Sequence, residues 1–214
     1  MYRIFFKRFF DVILASALFL VTLPVFAVLY LYLSAYYKGS PFFYQERPGL
    51  RGARFRVIKF RSMRDAFDRD GQPLPDKDRI TPVGVFLRKT SLDELPQLIN
   101  VLRGDMSFIG PRPLLMRYLP YYTEREMTRH LVRPGITGLA QVNGRNFLNW
   151  KDRLELDARY VEELSFMLDL RILVRTIIKV FRGSDIKVVP DGTPYDVYRK
   201  AELHRKNRLI AQSD

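Results

Sequence analysis

Residues 12–37 read VILASALFLVTLPVFAVLYLYLSAYY, an uncharged run bounded by Asp11 and Lys38. As a straight helix this run would be roughly 39 Å long, more than the roughly 30 Å hydrocarbon core of a bilayer. A secretory signal has a shorter apolar stretch and a small-residue cleavage site, so the run reads as a membrane-anchoring segment. Pro24 stands near its middle. It has no N–H to give to the preceding turn, and its ring crowds the carbonyl four residues back, so the helix should kink there. The halves, Val12–Leu23 and Val25–Tyr37, would each be about 18–20 Å long, half a bilayer deep. The N-terminal flank carries Arg3, Lys7 and Arg8 against Asp11, and residues 38–214 carry 33 basic and 22 acidic residues. Both flanks are basic, so charge bias does not assign them to opposite sides. Two topologies are open: a kinked single-pass anchor, or a re-entrant segment with both ends in the cytoplasm whose helical halves keep their backbone groups paired.

The rest of the chain is that of a soluble domain. With 214 residues, 47% hydrophobic and 28% charged, it is long enough for one domain with a core and too polar for a polytopic membrane protein. The formal charge of +13 points to a polyanionic partner: nucleic acid, an anionic membrane surface or a phosphorylated substrate. There is no cysteine, which excludes disulfides, thiolate catalysis, iron–sulfur clusters and Cys-based zinc sites. The only histidines are His130 and His204. Any metal would therefore be a hard cation on oxygen ligands.

Phe42–Glu46 and Arg54–Phe60 are short aromatic and β-branched runs separated by Pro48-Gly49 and Arg51-Gly52, the pattern of a small antiparallel hairpin. Residues 64–79, polar and containing Gly71, Pro73 and Pro75, read as a surface loop. Leu95, Leu98, Ile99 and Leu102 recur at helical spacing, and Arg103-Gly104 ends that helix. Residues 110–113 and 134–138 read as rigid loops, and Leu154–Leu164 and Ser165–Phe181 as helices. On the last helix Arg171, Arg175, Lys179 and Arg182 form a basic stripe beside an apolar face of Leu170, Leu173, Val174, Ile177, Ile178 and Phe181, suited to a membrane interface. The expected fold is α+β: a Pro-kinked membrane helix (1–37), a domain (38–185) with a small hairpin and amphipathic surface helices, and a tail (186–214) to which no role is assigned.

The chemistry rests on carboxylates and cations. Asp93 and Glu94 stand in Ser91-Leu-Asp-Glu-Leu-Pro96. Ser91-x-x-Glu94 has the form of a capping box for the following helix. The same geometry would place the carboxylates beside unpaired backbone N–H groups at the positive end of the helix dipole, where a phosphate also binds. Arg88-Lys89 precedes the pair, and Lys59, Arg61 and Arg64 cluster at the end of the second strand. Asp93 could then serve as nucleophile or metal ligand, with neighbouring cations screening a diphosphate.

Four stretches carry a family resemblance: Lys59-Phe-Arg-Ser-Met63, Thr90-Ser-Leu-Asp-Glu-Leu-Pro-Gln97, residues 104–113 (GDMSFIGPRP) and residues 133–145 (RPGITGLAQVNGR). With the apolar segment they span the chain to about residue 182. In this order the chain resembles the monotopic polyprenyl-phosphate phosphoglycosyl transferases, the bacterial sugar transferase family. Its short length is similar to the minimal members that initiate protein N-glycosylation by transferring phospho-diacetylbacillosamine. The resemblance implies transfer of a sugar phosphate from a UDP-sugar to undecaprenyl phosphate at the cytoplasmic face of the bacterial inner membrane, with release of UMP. It also favours the re-entrant topology for the membrane helix of residues 1–37. It implies Asp93 as nucleophile on the sugar-bearing phosphate and Glu94 as base or magnesium ligand, with Mg2+ held at Asp93 and Glu94. Arg112 and Arg145 are the first candidates for diphosphate or nucleotide contacts, then Lys59 and Arg88. Partners beyond the two substrates would be inner-membrane lipids.

Other matches fail. Residues 84–90 (GVFLRKT) lack the second glycine of a phosphate-binding P-loop. Asp68-Arg-Asp70 and Asp76-Lys-Asp78 have the form of a metal-binding Asp-x-Asp, but lie in a Pro/Gly-rich loop and read as solvated charges. Nucleic-acid binding would explain the charge but not the apolar segment, and no nucleic acid is expected as a partner.

Overall fold

The computed structural model describes residues 2–144, 147–182 and 192–210. A π-helical turn, Tyr2–Phe6, runs into α1, Lys7–Tyr37. The hairpin follows, β1 (Phe42–Pro48) antiparallel to β2 (Arg54–Phe60), with Phe42 opposite Phe60 and Pro48 opposite Arg54. Next come α2 (Asp76–Arg79), α3 (Pro82–Lys89), a 3-10 turn (Leu92–Glu94) and α4 (Gln97–Arg103). Strand β3 (Ser107–Ile109) pairs in parallel with β4 (Gly135–Thr137), with α5 (Glu124–Met127) between them in sequence. The remaining helices are α6 (Leu139–Val142), α7 (Trp150–Glu162), α8 (Phe166–Arg182) and α9 (Tyr195–Ile210). The fold is thus mixed, with an apolar N-terminal helix and a small antiparallel sheet as expected.

Three features differ from the sequence reading. Residues 134–138, read as a rigid loop, contain the strand β4, and its partner β3 ends just before residues 110–113; three residues each, both are too short to leave a period-2 signal. The tail contains α9, whose Tyr195 is fully buried against Tyr118, Tyr122 and Trp150. Helix α1 is a single element with Pro24 inside it. Near the proline, the Thr22 hydroxyl donates to the Leu18 carbonyl at 2.7 Å, a back-bond that tends to bend a helix.

One stripe of α1 faces the domain along its whole length. Lys7, Asp11, Ala15 and Leu33 are buried, and their spacing continues through partly buried Leu18, Phe26, Leu29 and Tyr37. Ala15 packs with Val57, Leu98, Val101 and Met106, where a small side chain lets α1 lie close to β2 and α4. Leu33 packs with Phe60 and Leu87, and the Phe26 ring sits 5.0 Å from that of Phe60. The opposite face is apolar and open, with Val21 77% exposed. With a mean hydropathy of 2.7 over its best window, α1 is long and apolar enough to cross a membrane.

The N-terminal charges lock α1 onto the domain. Lys7 Nζ meets Asp169 Oδ2 at 2.7 Å, and that carboxylate also accepts from Tyr2 and Tyr160 hydroxyls at 2.6 and 2.8 Å. Asp11 accepts from Ser107 Oγ and the Phe108 amide, both at 2.9 Å. Arg8 donates to the Val101 and Leu102 carbonyls at 2.6 and 3.0 Å, satisfying acceptors left open at the end of α4.

Candidate active site

The strand carrying Lys59 is placed by an asparagine. Asn100 is fully buried in α4; its Oδ1 accepts from the Ile58 amide at 3.0 Å and its Nδ2 donates to the Arg56 carbonyl at 2.8 Å. The side-chain amide thus acts as a strand neighbour for β2. Helix α3 is drawn against the end of β2 by Gly84, where a Cβ would lie 1.8 Å from the Ser62 carbonyl oxygen. That contact, not phosphate binding, is what this glycine serves. Thr81 caps α3, accepting from the Gly84 amide at 2.9 Å, and Arg88 on its last turn donates from Nε to Ser62 Oγ at 3.1 Å. Arg112 is fixed from the other side. Gly110 and Gly135 approach so closely that a Cβ on Gly135 would lie 2.1 Å from the Gly110 nitrogen. Arg129 Nη2 donates to the Arg112 carbonyl at 2.6 Å, while buried Asp157 holds the same guanidinium at 2.8 Å.

These elements converge on Asp93 and Glu94. Ser91 has φ of 58°, a left-handed conformation rare outside glycine, and makes no side-chain cap bond. The capping box therefore does not form. Glu94 Oε1 instead accepts from Lys59 Nζ at 2.8 Å and from Arg112 Nη2 at 2.6 Å. Two charge-assisted bonds outweigh one to a backbone amide. Asp93 is buried, with Oδ2 3.6 Å from Lys59 Nζ. Burial pushes its carboxyl above the usual carboxylate range; Lys59 pulls it down, the Glu94 charge adds to the rise, and Arg112 and Arg88 oppose it. The Glu94 charge in turn raises Arg112, which stays a cation.

Of the candidates, Lys59, Asp93, Glu94 and Arg112 thus meet in one cluster, with Arg88 near enough to act on Asp93. Arg145 lies outside the described residues. Sequence reasoning missed Ser62, Asn100, Arg129 and Asp157, which act on the cluster through another group. Of the Asp-x-Asp pairs, Asp68 and Asp70 are loop charges as expected, Asp68 Oδ1 accepting from the Asp70 and Gln72 amides at 2.9 and 2.8 Å. Asp76 and Asp78 instead lie in the short helix α2, within the stretch read as a loop, and Asp76 pairs with Arg79.

Ser91, Glu94 and Arg112 line one side of a cavity of about 170 Å³. A cavity lined by the Glu94 carboxylate and the Arg112 guanidinium, with Asp93 one residue away, can receive a phosphorylated substrate. The sequence matches the bacterial sugar transferase family over residues 2–183. The chain belongs to that family. It is 51% identical over 183 residues to "Uncharacterized sugar transferase EpsL" of Bacillus subtilis, covering 85% of this chain and 90% of that one. It is 38% identical over 197 residues to "Exopolysaccharide production protein ExoY" of Rhizobium meliloti, covering 83% and 87%. It is also 40% identical over 186 residues to the "UDP-glucose:undecaprenyl-phosphate glucose-1-phosphate transferase" of Escherichia coli, covering 82% of this chain and 40% of that larger protein. This bacterial sugar transferase is thus an enzyme, and its matched region contains the whole cluster and α1.

Proposed function

We propose that this sugar transferase moves a sugar 1-phosphate from a UDP-sugar to undecaprenyl phosphate and releases UMP, through an acyl phosphate that joins the phosphosugar to Asp93. The observation that carries the reading is Asp93 itself: a buried carboxylate 3.6 Å from Lys59, beyond hydrogen-bond reach, beside a cation-lined cavity. An Asp93 oxygen attacks the sugar-bearing phosphorus, the bond from that phosphorus to the bridging oxygen breaks, and UMP leaves with the electron pair. An oxygen of the lipid phosphate then attacks the same phosphorus and frees the carboxylate. Glu94 takes any proton on the attacking lipid phosphate, and Lys59, Arg88 and Arg112 balance the charge of the incoming diphosphate. Asp93 and Glu94 suit magnesium: among the described residues no third metal-ligating side chain joins them, and Mg2+ commonly takes one or two carboxylates plus phosphate and water oxygens. Bound there, the ion would neutralise charge on the diphosphate.

Helix α1 is proposed to be re-entrant, with the domain on the cytoplasmic face and α8 lying in the interface. Support comes from packing: both ends of α1 touch one domain, Lys7 through Asp169 and Tyr37 through Thr81. A straight crossing would drag that domain's loops into hydrocarbon, where their backbone groups would find no partners. On α8, Leu170, Val174, Ile177 and Ile178 are exposed beside Arg171 and Arg175, as an interfacial helix requires.

The test is a panel of UDP-sugars, UDP-glucose, UDP-galactose and UDP-diacetylbacillosamine among them, with undecaprenyl phosphate and magnesium, reading UMP. One donor should give lipid-dependent turnover, and without lipid that donor should give a single turnover and a covalent adduct on Asp93. UMP only with both substrates and no adduct would favour direct transfer. Excess chelator should abolish turnover; full activity in chelator would remove the metal. For topology, Ile4→Cys gives a cysteine-free chain one thiol. It should be shielded from a periplasmic thiol reagent and become reactive when Pro24→Leu is added. Labelling without the proline change would establish a spanning helix.

A further inference from the structure

The cavity beside Glu94 and Arg112 changes character away from them. Its apolar lining includes Leu18 of α1, Leu98 of α4, Phe108 of β3, Ile136 of β4, Val142 of α6 and Val180 of α8. Thr137 and Thr176 also face it, but their hydroxyls bond each other at 2.7 Å, and Thr176 also reaches the Ile172 carbonyl at 2.8 Å, so they ask little of a ligand. Gln141 of α6 and Lys179 of α8 line it too, so the cavity joins the charged Glu94–Arg112 side to a stretch of α1 and α8 that is apolar apart from the Lys179 cation. Both of those helices turn further apolar residues outward at the same level: Val21, one turn from Leu18, is 77% exposed, and Ile177, one turn from Val180, is 48% exposed. That stretch is thus continuous with the lipid-facing side of α1.

An apolar cavity of about 150 Å³ is large enough to hold benzene. At about 170 Å³ this one holds a short branched hydrocarbon and excludes a whole prenyl chain. An acceptor whose phosphate must reach Asp93 while its tail stays in the bilayer needs such a short covered passage. We infer that the groove between Leu18 and Val180 seats the first isoprene unit of the polyprenyl phosphate acceptor, with its phosphate directed to the Glu94–Arg112 end. The inference rests on the proposed reaction for the identity of the lipid. It adds where the chain leaves the site and which residues read its branched, unsaturated start.

The test uses the full chain in bilayers and a polyprenyl phosphate with a diazirine near its phosphate end. Irradiation should label residues 14–22 and 176–180. Excess undecaprenyl phosphate should protect those residues, and an equal amount of phosphatidylglycerol should not. Protection by both lipids equally, or labelling spread along the open face of α1, would make the groove a general acyl contact and overturn the inference. In parallel, Val180→Trp, at an exposed lip where a larger side chain does not disturb the core, should raise KM for undecaprenyl phosphate about tenfold, roughly 1.4 kcal/mol of lost binding. Its KM for the UDP-sugar and its lipid-independent single turnover of UMP should not change. An unchanged lipid KM with unprotected labelling refutes the seat while leaving the reaction intact. Specific protection in a chain that releases no UMP from any donor would keep the seat and refute the reaction.

Discussion

Asp93 and Asp157 are both buried aspartates facing a cation, and they are held in opposite ways. Asp157 Oδ2 takes two bonds from Arg129, at 3.1 and 2.8 Å, with both side chains 2% exposed. The remaining donors of Arg129 go to the Arg112 carbonyl and the Tyr122 hydroxyl. Asp93 stands 3.6 Å from Lys59, which makes its closer bond to Glu94 instead. The satisfied pair is a girder; the unsatisfied one keeps its lone pairs for an electrophile. The same residue type, buried in both places, is structural or reactive according to whether its cation reaches it.

The comparison breaks most directly at Asp93. Asp93→Asn keeps the shape and removes the charge, so turnover should fall by orders of magnitude. Its effect on stability should have the opposite sign. The folded-state pKa of Asp93 is raised above the unfolded value. The folded state therefore binds the proton more tightly, and ionising the group costs stability as pH rises from the ordinary aspartate range through the folded pKa. Thermal unfolding at neutral pH should find Asp93→Asn as stable as the parent or more so, with the difference vanishing below the ordinary aspartate pKa. A marked loss of stability at neutral pH would show that Asp93 is a structural partner like Asp157.

Asp157→Asn should do the reverse. It leaves the Arg129 charge buried without its counter-ion, a loss of about 3–5 kcal/mol by analogy with other broken buried pairs. Chemical denaturation measures it. Because Arg129 also holds the Arg112 backbone, the surviving folded fraction should bind donor less well, seen as a raised KM for the UDP-sugar. Stability within 1 kcal/mol of the parent, about the cost of an ordinary substitution, would contradict the girder reading.

The smallest effect sharpens the comparison. Lys59 is the largest influence lowering the Asp93 pKa. Lys59→Met should therefore move the acid limb of the kcat/KM profile to higher pH, beyond the already raised limb of the parent. An acid limb that stays in place would detach Lys59 from Asp93 and leave it a partner of Glu94 alone.

What the sequence discloses follows the range of the interactions. The hairpin, the helix ended by Gly104 and the cluster of Lys59, Asp93, Glu94 and Arg112 were legible because motifs and short periodicities carry them. Asn100 was not: in sequence it is one polar residue in a helix, and only the neighbouring strand makes its amide a ladder partner. The Arg129–Asp157 pair joins residues 28 apart, and α9 is held by aromatic packing of Tyr195 against elements far earlier in the chain and by the Arg199–Glu126 ion pair, whose members are 73 positions apart. The capping box was misread because Ser91-x-x-Glu94 has the local form, while the cations competing for Glu94 come from β2 and the loop before α5. The flanking charges were misread in kind. Lys7 and Asp11, counted as topological markers, are buried structural contacts.

Those contacts set an order of events in the life of the chain. Lys7 is made 162 positions ahead of its carboxylate partner, and Asp11 waits 96 for the Ser107 hydroxyl. During synthesis the apolar helix is therefore exposed to the bilayer long before its charged end is neutralised. Its charged end cannot reach its contacts until Asp169 of α8 has been translated. The docking of α1 is thus a late step of folding, and a chain stripped of residues 1–37 would lose one wall of its interior, leaving Val57, Leu98 and Asp169 without the surface they meet.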